Sequence, residues 1–397
     1  MKIWCGLMLT ACWSGVAVAQ TSPLRNVEIF LGNVLTYDDN VFRTPDGVTR
    51  VGATHKSDWI IEPTASINYT RPLARGTIGV RALVSYKFYR RNSDLNRENM
   101  DFAVNGATQV SLCDLKGDVG FRRTQSDLAD IVDGLATSNA ENRFRASAGI
   151  LCGSRVGIRP GLEYTHESAT NSDPIRQVSN NKRDTYTARV GYQHPTLGFL
   201  SVFGTLSDGS YPNRPSPGAG LPANDEIRTY SGGVSYSRDI GARLSGNVSV
   251  GYMKVKPKLA TVPGHSGLTY SGSLAYRGSD RITGQLHFSR SSQQSNLLGV
   301  DYSITTSWGG RVNYAFSRVI SAAADASFTK RRFTSTSFLV QPVGSGDNTK
   351  TFGASINFQS FRRLRFALNA THFIRNSPLP GLDYTANRVT FTTGINF

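Results

Sequence analysis

Residues 77–88 read Thr77-Ile78-Gly79-Val80-Arg81-Ala82-Leu83-Val84-Ser85-Tyr86-Lys87-Phe88. Ile78, Val80, Ala82, Val84, Tyr86 and Phe88 take every second position, with mostly polar or small residues between them. Successive side chains of an extended chain point to opposite faces, so this stretch is a strand with one apolar and one wet face. Residues 243–252 repeat the pattern, with Leu244, Gly246, Val248, Val250 and Tyr252 set against Arg243, Ser245, Asn247 and Ser249. A single segment of this kind is weak evidence. Its recurrence from Val27 to the end, in segments of about eight to fourteen residues separated by turns, is the pattern of a transmembrane β-barrel, with lipid on one face and water on the other.

The connections give the strand count. Short turns are expected at 71–76, 114–116, 153–154, 194–198, 239–241, 278–280, 316–318 and 360–361. They alternate with longer polar loops at 38–56, 90–98, 127–140, 169–180, 212–225, 257–265, 291–300, 334–347 and 377–383. The chain therefore reads as a closed antiparallel all-β barrel of about 18 strands, or 16 if a segment has been divided wrongly, with short periplasmic turns, longer extracellular loops and both termini periplasmic. Four prolines in 212–225 exclude a strand there. That loop is either solvated or folded back to narrow a pore.

Lys2, the apolar run Ile3 to Val16 and the small-x-small site Ala17-Val18-Ala19 read as a secretory leader, which places a signal peptide at 1–19. Leu9-Thr10-Ala11-Cys12 offers a lipoprotein site as the alternative. Residues 20–26 then form a short periplasmic segment ahead of a barrel over 27–397. No run of about 20 apolar residues follows the leader, so no transmembrane helix is available. Apolar residues make up 39%, while the chain holds 39 Gly, 20 Phe and 16 Tyr. That balance suits a wall wetted on one side better than a close-packed interior. A formal charge of +16 is compatible with nucleic acid in principle. Export removes that reading and leaves acidic solutes, outer-membrane lipid and lipopolysaccharide phosphates as partners.

The last strand places Val389, Phe391, Thr393, Ile395 and Phe397 on one face. A closing aromatic after alternating apolar residues resembles the signal read by the barrel-assembly machinery, so Val389, Phe391, Ile395 and Phe397 are the candidate assembly residues. Leu35-Thr36-Tyr37-Asp38-Asp39-Asn40-Val41-Phe42-Arg43, with Pro45-Asp46-Gly47 and this closing strand, resembles the putative beta-barrel porin 2 group and its EpsL-type exopolysaccharide-export members. The resemblance implies a pore for an extracellular polysaccharide, working with a periplasmic polysaccharide-export protein, and it brings no catalytic residues. Asp38-Asp39-Asn40 can hold Ca²⁺ or, more commonly, form a local Asx turn.

Enzymatic readings find little support. His55, His166, His194, His265, His287 and His372 show no metal-ligand spacing, and there is no Gly-x-Ser-x-Gly elbow or phosphate loop. His287 and Ser289 share one face, as a phospholipase dyad would, but lack the accompanying Asn-Gly. No cofactor or metal is expected. Aromatic residues at strand ends, Trp59, Tyr86, Tyr186, Tyr252 and Trp308 among them, read as interfacial girdles.

With the apolar set facing lipid, two basic ladders turn inward. Arg122, Arg143, Arg145, Arg155 and Arg159 come from the fifth to seventh strands; Arg363, Arg365, Arg375 and Arg388 come from the last two. Glu28, Glu62, Asp101, Glu163 and Asp325 are the chief acids on that side. The expected lumen is basic and favours anions, unless these arginines pair with acids or sit at the rims. Polysaccharide export, a general or small-solute diffusion porin and a barrel enzyme are the function classes to separate.

Cys5 and Cys12 fall in the leader, leaving Cys113 and Cys152 as a possible disulfide. With the turn at 114–116, Cys113 points inward and Cys152 outward, two strands apart. Their separation is then about 10 Å, beyond the roughly 7 Å that a disulfide spans. Only shear and turn curvature would bring them together.

Overall fold

The computed structural model describes residues 27–47, 55–125, 139–214, 225–259, 262–294, 300–334, 346–360, 363–378 and 381–397. The expected leader, residues 20–26 and most of the proline-rich loop lie outside them. The described chain forms β1 (Val27–Asp38), β2 (Asp58–Leu73), β3 (Gly76–Tyr89), β4 (Arg97–Val110), β5 (Cys113–Gln125) and β6 (Ala140–Cys152). It continues through β7 (Gly157–Asn171), β8 (Asn181–His194), β9 (Gly198–Tyr211), β10 (Asp225–Ile240), β11 (Leu244–Pro257) and β12 (His265–Arg277). The remaining strands are β13 (Ile282–Gln294), β14 (Tyr302–Ala315), β15 (Ile320–Thr334), β16 (Gly346–Gln359), β17 (Leu364–Asn376) and β18 (Tyr384–Asn396).

Each strand pairs antiparallel with its neighbours in sequence, and β1 pairs with β18 to close the sheet. Closure lets every strand find a partner on both sides, which a wall facing lipid requires. The seam runs from Phe30 opposite Asn396 to Asp38 opposite Arg388. The amide of Phe397 donates to the Ile29 carbonyl at 2.8 Å. On the inner side of the seam the Phe30 ring lies over Gly32 and Gly394, filling the space where a Cβ would sit.

The alternation is legible in exposure. Ile158, Val202 and Val190 on the outer face are 69%, 62% and 57% exposed, as apolar residues are only where lipid covers them. Buried apolar residues gather instead at the long-loop end. Tyr211, Ile227, Met253, Val255, Val262, Tyr302 and Ile304 form one cluster there; Val41, Phe42 and Leu95 form another.

The tight turns fall within a few residues of expectation, with one consequential exception. The chain turns at Ser111 and Leu112, before Cys113 rather than after it. Cys113 therefore opens β5 directly opposite Cys152 on the adjacent strand, with their Cα atoms 3.9 Å apart, and a disulfide joins them. Both lie on the outward set, with Val110 and Ile150. The inward placement of Cys113 and the two-strand gap are thus corrected. Asp114 and Lys116 look like turn residues, but both are inner-wall strand residues, bonded to Arg159 and Glu163.

Gly198 shows what one short turn demands. Its φ is +88°, and a Cβ there would lie 2.4 Å from the Ser237 carbonyl oxygen. Gly198→Val should lower stability by about 2–3 kcal/mol through backbone strain and displacement of β10. Urea unfolding of the reconstituted barrel reads this directly, and an unchanged midpoint would contradict it.

Candidate functional site: the lumen

The inner wall divides into two halves of different chemistry. From β3 to β8 it is ionic. Arg81 pairs with Asp101 at 2.8 Å, Arg145 with Glu167 at 2.8 Å, and Glu163 receives both Lys116 at 2.9 Å and Arg189 at 3.0 Å. Arg143 with Glu141 and Arg159 with Asp114 complete the set. Arg122 faces inward opposite Arg143.

From β8 to β14 the wall is made of hydroxyls. Thr185 and Ser207 meet at 3.1 Å, Thr187 and Thr205 at 3.1 Å, Ser201 and Ser235 at 2.6 Å, Ser249 and Ser271 at 2.7 Å, and Ser289 and Ser307 at 2.9 Å. Cross-strand hydroxyl pairs satisfy one another while each keeps a free lone pair toward the lumen. Sequence reading missed this wall because Ser and Thr form no motif. Its only sequence signal is their recurrence at every second position between the apolar residues.

At the long-loop end the remaining arginines are clamped. Asp38 accepts from Arg43 at 2.7 and 2.8 Å and from Arg388 at 2.8 Å. Asp347 meets Arg331 and Arg375 at 2.6 Å each, with Arg375 and Asp347 each only 2% exposed. At the opposite, short-turn end Arg365 lies over the Phe30 ring, 5.8 Å from its centroid. Arg155 and Arg363 are not on the inner wall of a strand; they occupy the turns 153–156 and 360–363. The pairing with acids that the sequence left open holds for Arg143, Arg145, Arg159, Arg375 and Arg388. Arg122, Arg143, Arg145, Arg159, Arg365, Arg375 and Arg388 do face inward, but most of them have acids at hand.

Asp38 closes β1, and Asp39 and Asn40 begin the turn that follows it. The Asn40 amide donates to Asp38 Oδ1 at 3.0 Å, and Asp39 accepts from the Asn387 amide and side chain at 2.7 Å each. Two arginines already occupy the Asp38 carboxylate. Among the described residues no group of three His, Cys, Asp or Glu is placed to hold a metal. His287 and Ser289 both face the lumen, and Ser289 is bonded to Ser307. Val389, Phe391 and Ile395 face outward, 44%, 42% and 41% exposed. In the loop 39–57, Lys56 hydrogen-bonds Asp46 at 2.7 Å and holds its carboxyl below the usual range.

The mouth is partly spanned. Tyr211 in β9 donates to the Asp301 carbonyl at 3.0 Å, and Arg214 ties Asp225 at 2.7 Å to Asp301 at 2.6 Å. Tyr302 donates to the Pro263 carbonyl at 2.7 Å, and Gln294 reaches the Lys182 carbonyl at 3.3 Å. These contacts link β8 and β9 to the β13–β14 rim, and the apolar cluster packs beneath them.

No curated protein sequence matches this chain. Among solved structures, Pseudomonas aeruginosa OpdK with vanillate superposes with a TM-score of 0.47 at 12% identity, covering 94% of this chain and 99% of that one. Pseudomonas aeruginosa OccK2 (OpdF) in complex with glucuronate gives 0.46 at 11% identity, covering 94% and 98%. A family model described as "Putative beta-barrel porin 2" matches residues 33–397. That match runs from the first strand to the last of the closed barrel, and the chain belongs to the putative beta-barrel porin 2 family, a porin-like outer-membrane barrel.

Proposed function

We propose that this barrel is a passive diffusion channel for small hydrophilic solutes, favouring acidic, hydroxyl-rich molecules of the sugar-acid class. The observation that carries the reading is the two-sided lumen. A solute carboxylate finds a succession of guanidinium groups along β3–β8, Arg81, Arg122, Arg143, Arg145 and Arg183 among them. Its hydroxyls can exchange with the wall hydroxyls of β8–β14. Donors and acceptors on opposite sides let such a molecule shed water without losing hydrogen bonds. The spanned mouth supports small cargo over a broad polymer, because its buried apolar cluster and ion pairs resist displacement. In this reading both termini face the periplasm and the long loops face outward.

Export of an extracellular polysaccharide with a periplasmic export partner is the second reading. The Leu35–Arg43 resemblance favours it. In this chain, however, Asp38, Asn40 and Arg43 are engaged with one another and with Arg388 and Thr385, so the segment acts as a local clasp.

Liposome swelling and planar-bilayer recordings at low salt test the proposal. Uronates should enter faster than neutral hexoses of equal size, and chloride should pass over potassium. Arg143→Gln with Arg145→Gln should reduce both preferences by several-fold. Cation selectivity, or swelling rates indifferent to solute charge, would defeat the reading. Free passage of long oligosaccharides would return the balance to export.

A further inference from the structure

We propose that the outer wall across β6–β11 is a docking site for a phosphorylated, acylated glycolipid of the leaflet at the long-loop end. The ladder registers place two outward rows one above the other. In the upper row Tyr164 faces Tyr186, which faces Leu206, and the row continues through Tyr230 to Lys254. In the lower row Ala188, Gly204 and Gly232 lie side by side and lead to Tyr252. A furrow of about 1100 Å³ on the lipid face runs from Leu115 and Ile150 to Lys254, and these three small residues form part of its floor between Tyr186, Tyr230 and Tyr252.

The backbone does not require these glycines. A Cβ at Gly204 would meet nothing within 4 Å, and one at Gly232 would come no closer than 3.5 Å to the Phe203 carbonyl oxygen. Neither has a positive φ. Glycine weakens a strand interior and often marks close approach of another molecule. Immediately below, Val190, Val202, Val234 and Val250 restore the usual bulk.

The charge above the furrow identifies the occupant. Lys254 and Lys256 point outward on β11, about 7 Å apart as i and i+2 residues of one strand, so both ammonium groups can reach one phosphate. Lys256 sits 5.5 Å from the Tyr230 centroid. Neither lysine has an acidic partner among the described residues, whereas nearby Arg228 and Lys258 are spoken for by Asp208 and Glu226. An amphiphile with acyl chains in the furrow and phosphate at the lysines satisfies both halves. A second copy of the barrel brought face to face would set these lysines against their own equivalents. The proposal stands apart from the solute reading, since neither the furrow floor nor the lysines face the lumen; only the naming of the leaflet rests on the orientation given above.

The test uses the full chain in detergent micelles, with heat-dependent gel mobility certifying that each variant is a closed barrel. Native mass spectrometry counts retained diphosphoryl lipid A, monophosphoryl lipid A or phosphatidylglycerol. Diphosphoryl lipid A should be retained best. Lys254→Gln with Lys256→Gln should weaken its retention about thirtyfold. Gly204→Phe, which fills the furrow, should weaken both lipid A forms. Lys330→Gln with Lys350→Gln, outward lysines on β15 and β16, should change nothing. Equal retention by the wild type and the Lys254/Lys256 variant would overturn the site. So would an equal loss in the Lys330/Lys350 variant, or phosphatidylglycerol held as tightly as lipid A.

Discussion

Asp347→Asn is expected to destabilise the barrel by about 3–5 kcal/mol, the usual cost of removing one partner from a buried ion pair. Asp347 holds both Arg331 and Arg375, and Arg375 is 2% exposed at the base of the long-loop mouth. Asparagine keeps the shape and one acceptor oxygen but removes the counter-charge. Two guanidiniums then share the site, and neither can lose its proton to escape. Adding Arg375→Met should restore part of the loss, because an aliphatic chain of similar volume needs no counter-charge. Urea unfolding followed by tryptophan fluorescence measures both. A change below about 1 kcal/mol, typical of exposed ion pairs, would mean that water reaches the site.

The second large effect concerns the disulfide. Cys113 and Cys152 are 39 residues apart in sequence, and a cross-link over that span restricts the unfolded chain by about 4 kcal/mol on the chain-entropy model. The folded barrel keeps β5 and β6 paired along their length without the sulfurs, so native-state repair is small. Cys113→Ser with Cys152→Ser should therefore lower stability by about 2–4 kcal/mol, and a reductant should reproduce that loss in the wild type and add nothing in the variant. A wild-type barrel whose unfolding midpoint ignores reductant would refute the assignment.

Much of this architecture was legible because lipid and water on opposite sides of one sheet write a period of two into the sequence. Ile78 to Phe88 announced both the strand and its outward face, and Arg143, Arg145 and Arg388 were correctly turned inward. The partner of Arg388, like those of Arg43, Arg159, Arg214, Arg331 and Arg375, was not found, for a common reason. Asp38, Asp114, Asp225 and Asp347 each stood in a segment read as a turn or loop, because aspartate beside small polar residues favours turns. In the barrel all four are strand residues that meet Arg43 and Arg388, Arg159, Arg214, or Arg331 and Arg375. The acids were thus undercounted at the strand ends where they matter. The same reading of Asp114 and Lys116 as a turn moved Cys113 onto the wrong strand. The mouth contacts carried no signal, since Tyr211 and Asp301 are 90 residues apart and alternation says which way a side chain points, not whom it meets.

The seam between β1 and β18 also sets an order of events. Thr36 and Thr390 hydrogen-bond at 3.2 Å across 354 residues of chain, so the first strand synthesised acquires its second neighbour only when the last one arrives. Loop-closure entropy rises only logarithmically with length, so waiting costs little in free energy. It costs exposure instead: until then β1 presents an open row of donors and acceptors, a template for pairing with another chain. That edge therefore has to be kept from other chains for longer than any other strand's. A chain halted before β18 would not be a smaller pore but a curled sheet with two live edges.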